Sequence, residues 1–220
     1  MSGVILLSSF LAQKGTGGET NSVGSFLFLY TLQTLSLAAP LFLWTWKKYG
    51  SRWIDFGLRA IPFKTLAKGV GQGFLIYYMM STLIAQLMWS YQIEIPGYGD
   101  QESHIPLFGE SVPGLILGAI VIVGIAPIVE EIFFRGYLYT VFKKYLPLSI
   151  ASISSALLFA GIHMEFQVIL PLFLLGLVLN LIFENTKSLW TPILFHMLNN
   201  ALALSVEIAL HYHWIEIPTL

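Results

Sequence analysis

Apolar residues run along this chain in six long blocks, broken by short basic or acidic stretches. About 20 consecutive apolar residues let a helix cross ~30 Å of hydrocarbon. The first block is Ser25–Trp46, closing on Trp44 and Trp46 with Lys47 and Lys48 directly after. An aromatic edge with adjoining basic residues marks a membrane interface. Gly69–Tyr91 is the second block. Val112 to about Lys144 is a long third helix, continuously apolar only in its first part. Leu148–His163, Val168–Glu184 and Leu189–Leu210 are the fourth, fifth and sixth. The pattern predicts an all-α fold, a polytopic transmembrane helix bundle of about six spans with short interfacial segments.

The connections complete this outline. Val4–Ala12 is apolar but short, without the basic lead-in of a secretory signal, and is expected to lie half-embedded at the interface. Gly15–Gly18 reads as a loop. Lys47–Lys68 is a basic connector carrying Trp53, Phe56 and Leu58 as apolar anchors. Glu94–Glu110 is polar, acidic and interrupted by Pro and Gly, hence a surface loop. The chain thus divides into 1–110 (two spans, the connector and the acidic loop), a helical core over 111–211, and a tail over 212–220. Threading the spans gathers Lys47, Lys48, Arg52, Arg59, Lys64, Lys68, Arg135, Lys143, Lys144 and Lys187 at one side, with Lys14 on the other. Such a bias makes the basic side cytoplasmic, in a multi-pass protein of the cell membrane.

Composition agrees. Of 220 residues, 56% are hydrophobic and 10% charged, where a soluble domain carries about 25% charged residues. Mean hydropathy is +0.74. The net charge of −1 names no partner, because the basic residues are clustered. Nothing supports a nucleic-acid partner; the lipid bilayer is the expected one. Cysteine is absent, which removes disulfides and thiolate chemistry.

Against that background the polar residues inside the blocks stand out. Glu130 and Glu131 are adjacent at the end of the run from Gly118, and His163 and His196 lie in two other blocks. Ionisable groups at membrane depth are costly and face a protein interior or a wet cavity. Counted from the basic end at ~1.5 Å per residue, Glu130 lies about 20 Å in, His163 about 24 Å, His196 about 12 Å and Asn200 about 18 Å. With tilts of ~20° these depths overlap, so the four can form one site. Glu131 and Arg135 are i,i+4 with the acid first, the favourable order for an ion pair. Glu130 points about 100° away and is left free to accept a proton.

Each feature also has an ordinary reading. A Glu-Glu…Arg group can be a structural ion-pair lock, and a single membrane His is often an interhelical hydrogen-bond partner. Asn180, Gln86 and Gln33 read as helix glue, worth ~0.6 kcal/mol each. Glu165 and Glu184 lie near helix ends, and His104, His211 and His213 are peripheral. The combination at matched depth favours a hydrolytic site.

Glu130-Glu131-Ile132-Phe133-Phe134-Arg135 resembles the EExxxR motif of the CPBP family, the CAAX proteases and bacteriocin-processing enzymes also called Abi proteins. Phe159 to His163 resembles its FxxxH motif, and His196 to Asn200 its HxxxN motif. Thr186-Lys187-Ser188-Leu189-Trp190 followed by Pro192-Ile193 is similar to the family's lead into the last helix. The likeness spans about residues 112–205, and three motifs in order are specific where one would be weak. It implies an intramembrane endopeptidase similar to the Ras-converting CAAX enzymes. By that resemblance Glu130 and His163 activate the attacking water, and His196 and Asn200 stabilise the oxyanion. Glu131 and Arg135 support the site.

The expected substrate is a peptide or membrane-protein segment. Two histidines and a glutamate (Glu130, His163, His196) could instead hold a catalytic zinc. No HExxH helix is present, and a His/Asn pair on one helix face suits an oxyanion site, so metal-independent glutamate chemistry with no cofactor is preferred. A non-catalytic membrane peptide-binding or immunity protein on the same scaffold is the alternative. A proton-coupled transporter would call for inverted repeats or broken helix pairs, which the sequence lacks.

Overall fold

The computed structural model describes residues 28, 30–32, 34–39, 41–93, 105 and 111–215. Val4–Ala12, Lys14, Gly15–Gly18, Gln33, nearly all of the acidic loop with His104, and residues 216–220 lie outside the described residues.

Among the described residues every regular element is a helix. Helical residues before Lys47 end in a π-helical turn, Leu41–Lys47. A single 3-10 turn, Trp53–Phe56, interrupts the connector. Five helices follow: α1 (Phe63–Ser90), α2 (Val112–Tyr145), α3 (Leu148–Ile162), α4 (Ile169–Thr186) and α5 (Trp190–His211). By length and hydropathy α2, α4 and α5 are each sufficient to cross a membrane. The 15 residues of α3 give about 22 Å of rise, less than a full span.

Where the helices begin follows from local chemistry. Ser111 caps α2, its Oγ accepting from the Gly114 amide at 3.3 Å. α3 starts directly after Pro147. α1 starts directly after Pro62, six residues before the expected Gly69. Lys64 and Lys68 therefore ride in its first turns, where long stems let the ammonium groups reach an interface. Farther along, Leu75, Met79, Leu83 and Leu87 stand exposed at i,i+4 spacing. An apolar row of this length facing outward marks a lipid-facing side, and the protein is an integral-membrane helical bundle.

α3 and α4 pack as an antiparallel hairpin, α1 lies against α4 and α5, and α2 runs along α5 and α3. One core cluster draws Val70, Phe134, Phe159, Leu179 and Phe195 from all five helices. A second seats Phe56 of the connector among Tyr139, Phe183, Leu189 and Ile193. The basic end is held by Glu184, which takes Lys143 Nζ at 2.6 Å and also pairs with Lys187. Ser188 donates to the Arg59 carbonyl at 2.7 Å, closing the connector onto the α4–α5 turn.

The contact of α1 with α5 uses a small-residue seam not singled out in the sequence. Gly69 and Gly73 are i,i+4 and face Thr191 and Phe195, also i,i+4. A β-carbon at Gly69 would come 2.6 Å from Thr191 Cγ2, and one at Gly73 3.1 Å from the Phe195 ring. Membrane helices gain contact energy by such close approach. Gly69→Leu is expected to lower the melting temperature in detergent by about 5 °C, since overpacking costs about 1–3 kcal/mol. Leu at the neighbouring Gly71, where nothing lies within 4 Å of a β-carbon, should leave it nearly unchanged.

Candidate active site

α2 is one continuous helix, but its hydrogen-bond register changes twice. Ile120–Ile125 and Ile132–Tyr139 are π-helical, and the glutamate pair sits on the α-helical stretch Ala126–Glu131 between them. Pro127 accounts for the first change. It has no amide hydrogen, and its ring would clash with the carbonyl four residues back. A wider turn relieves that clash, and single π turns of this kind recur at functional sites.

Arg135 is fully buried, and its guanidinium is spread over three helices. Nη1 donates to Glu131 Oε1 at 2.9 Å, Nε to Asn180 Oδ1 at 3.2 Å, and Nη2 to the Gly176 carbonyl at 3.1 Å. Its face lies over Phe159, 4.5 Å from the ring centroid. Asn180 passes the connection on, donating to the Ser152 carbonyl at 3.0 Å. Bidentate, planar donation with stacking is something lysine could not supply. Gly136 follows for a steric reason: a β-carbon there would meet the Phe56 carbonyl at 3.0 Å.

The two glutamates are both buried but differently placed. Glu131 Oε1 accepts from Arg135 and also from His196 Nδ1, at 2.9 Å. The opposite ring nitrogen, His196 Nε2, stands 4.0 Å from Glu130 Oε2. One imidazole therefore lies between the paired carboxylates. Because a carboxylate only accepts, Nδ1 carries the hydrogen of this bond. His163 closes α3; its Nδ1 donates to the Phe159 carbonyl at 2.6 Å, which likewise leaves Nε2 free of that bond. Both imidazoles stand edge-on to the Phe159 ring, at centroid separations of 4.8 and 5.8 Å.

Arg135, His163 and His196 thus gather around Phe159, with Glu131 and Glu130 beside His196, all buried. Asn200 lies one turn beyond His196, and its Nδ2 donates to the Ile122 carbonyl at 3.0 Å. Asn199, on a different face, accepts from the Tyr78 hydroxyl at 3.3 Å. Asn180 and Tyr78 are additions to the residues read from sequence. Asn180 carried a signal as a polar residue in an apolar block, whereas Tyr78 carried none. Buried Tyr30 also lies within electrostatic reach of Glu130. Among the described residues no three His, Asp or Glu side chains are grouped as a metal ion requires. Glu130, His163 and His196 do not form that set in this geometry.

Beside the site is an apolar cavity of about 440 Å³, walled by Leu41, Trp46, Trp53, Phe56, Val129 and Ile132. Val129 and Ile132 flank the glutamate pair along α2, but none of the polar site residues lines the cavity.

Removing Arg135 alone should be severe. Arg135→Met leaves Glu131 buried without its cation, at an expected cost of about 3–5 kcal/mol, read as denaturant unfolding in detergent. Glu131→Gln combined with Arg135→Met should recover a large part of that loss.

Residues 112–202 match the family model described as "Type II CAAX prenyl endopeptidase Rce1-like", a span that covers α2 through the first half of α5. An Escherichia coli protein named "Uncharacterized 24.3 kDa protein" is 28% identical over 152 residues, covering 66% of this chain and 67% of its own. The Bacillus subtilis (strain 168) protein named "Putative membrane peptidase YdiL" is 23% identical over 158 residues, covering 69% of this chain and 65% of its own. The chain spans about two thirds of the length of these relatives. No solved structure matches it. The three motifs thus fold around one buried carboxylate pair inside the segment, residues 112–202, that is similar to the Rce1-like CAAX endopeptidase family.

Proposed function

We propose that this protein is an intramembrane endopeptidase in which Glu130 is the base that activates water. The observation that carries this reading is the unequal placement of the two glutamates. Glu131 is engaged by Arg135 and His196, whereas among the described residues Glu130 Oε2 meets His196 Nε2 only at 4.0 Å. That separation is too long for a direct hydrogen bond and suits one interposed water.

In the proposed reaction Glu130 removes a proton from water as its oxygen attacks the scissile carbonyl, with His163 Nε2 orienting that water. The tetrahedral oxyanion is stabilised by the second amide hydrogen of Asn200, the first being engaged by Ile122, and by His196 when its Nε2 carries a proton. Glu130 then returns its proton to the departing amine as the C–N bond breaks. Glu131, paired with Arg135, holds the His196 ring through Nδ1 and turns Nε2 toward Glu130. No step in this mechanism is routed through a metal ion.

The substrate is a peptide or membrane-protein segment. The apolar cavity beside Val129 and Ile132 suits one of its large apolar groups. The basic end, with Lys143, Lys187 and the Arg52–Arg59 connector, faces the cytoplasm in the cell membrane.

Turnover of a peptide library by the purified protein tests the assignment. Glu130→Gln should retain the fold and lose about 10²–10⁴-fold in turnover; undiminished cleavage by that variant would falsify it. Strong chelation should leave turnover intact, and a chelator-sensitive activity restored by stoichiometric zinc would replace the metal-independent mechanism. Ala38→Trp, which fills the apolar cavity, should raise KM for substrates with bulky apolar groups and spare kcat.

A further inference from the structure

The hydrogen bond from Asn200 to the Ile122 carbonyl has a cause that lies five residues further along α2. In the first π-helical turn the Ala126 amide donates to the Val121 carbonyl, five residues back. The next carbonyl in that register, Ile122, calls for the amide hydrogen of residue 127, which is proline and has none. The amide one residue earlier, Ala126, is already given to Val121. With the Ala126 amide committed to Val121 and no amide hydrogen on Pro127, the Ile122 carbonyl has no backbone donor in this π turn. Ile122 is buried, where an unpaired carbonyl is costly. The Asn200 side chain, arriving from α5, supplies the missing donor at 3.0 Å.

We infer that Pro127 and Asn200 form a matched pair. The proline forces the wide turn, and the asparagine caps the carbonyl left without a partner. Asn200 is thereby a positioning residue for Glu130, in addition to any contact with substrate. Relaxing one π turn to α register shifts everything beyond it by one residue, about 100° of rotation. Glu130 is only three residues past Pro127, so such a shift would swing it away from His196 Nε2. Holding the π turn open is what keeps the base aimed. The catalytic part of this inference rests on the proposed peptidase reading; the capping part does not.

The test is a double-mutant cycle on the full-length protein in detergent, comparing wild type, Pro127→Ala, Asn200→Ala and the double variant. Melting temperature and amide hydrogen exchange of the peptide covering 122–131 are measured for each. Asn200→Ala should lower the melting temperature by about 5 °C and speed local exchange roughly tenfold. In the Pro127→Ala background an amide hydrogen reaches Ile122 in either register, so the same substitution should cost less than half as much. If Asn200→Ala fails to fold alone but folds with Pro127→Ala, the pair is supported. Equal losses in both backgrounds, or a double variant that also fails to fold, overturns it.

Turnover separates the two roles. Asn200→Ala should lower kcat with KM unchanged. Pro127→Ala, which keeps the Asn200 amide, should also lower kcat, because its turn is free to relax. An unchanged kcat in that variant would show that the turn does not aim Glu130. Absence of turnover in the wild type would defeat the peptidase reading while leaving the stability and exchange cycle to decide the cap.

Discussion

A guanidinium withdrawn from solvent must have its charge matched and its donors met, and most of the site's geometry follows from meeting that requirement at Arg135. Its planar fork reaches Glu131 on its own helix and Asn180 and the Gly176 carbonyl on α4, while its face rests on Phe159 of α3. These directions are fixed by the flat geometry of one group. They set the rotation of α2 against the α3–α4 hairpin, and with it the facing of every residue near Arg135. Glu130 is adjacent to Glu131 on the helix, so locking one orients the other. The ion pair is therefore a jig for the second carboxylate.

The two glutamates differ in what surrounds them. Glu131 is given a permanent cation and an imidazole donor, and so serves as a fixed negative pole. Among the described residues Glu130 has no such cation at hydrogen-bond distance and meets His196 only across a gap. Paired carboxylates with unequal environments are how one site obtains two chemical roles from one residue type. His163 repeats the logic: its Nδ1 is fixed on a carbonyl of its own helix, and its other nitrogen is thereby assigned.

What could be read from the sequence was whatever depends on local period. The later apolar blocks became helices within a residue or two of their expected ends, because length and hydropathy decide them. The Glu131–Arg135 contact followed from i,i+4 spacing alone. The start of α1 was misplaced by six residues, because Lys64 and Lys68 broke the apolar run without breaking the helix. Asn180 looked like any polar residue in a membrane helix; its role depends on which donor arrives from α2. The Asn200 bond was less legible still. It requires knowing that the helix opposite has lost a donor, and the only local sign of that is Pro127 inside an apolar run.

A last constraint concerns the residue that joins the two carboxylates. Glu130 and Glu131 leave α2 about 100° apart, so no single contact point can serve both. His196 meets this with two nitrogens on one rigid ring, Nδ1 on Glu131 and Nε2 toward Glu130. A lysine would bring a mobile point charge that either carboxylate could capture. A glutamine would offer its donors and its acceptor from one small group at the end of a flexible stem. The imidazole assigns each carboxylate its own nitrogen from one rigid ring. Adjacency of the glutamates in sequence and the presence of histidine on the facing helix are thus two sides of one geometric requirement.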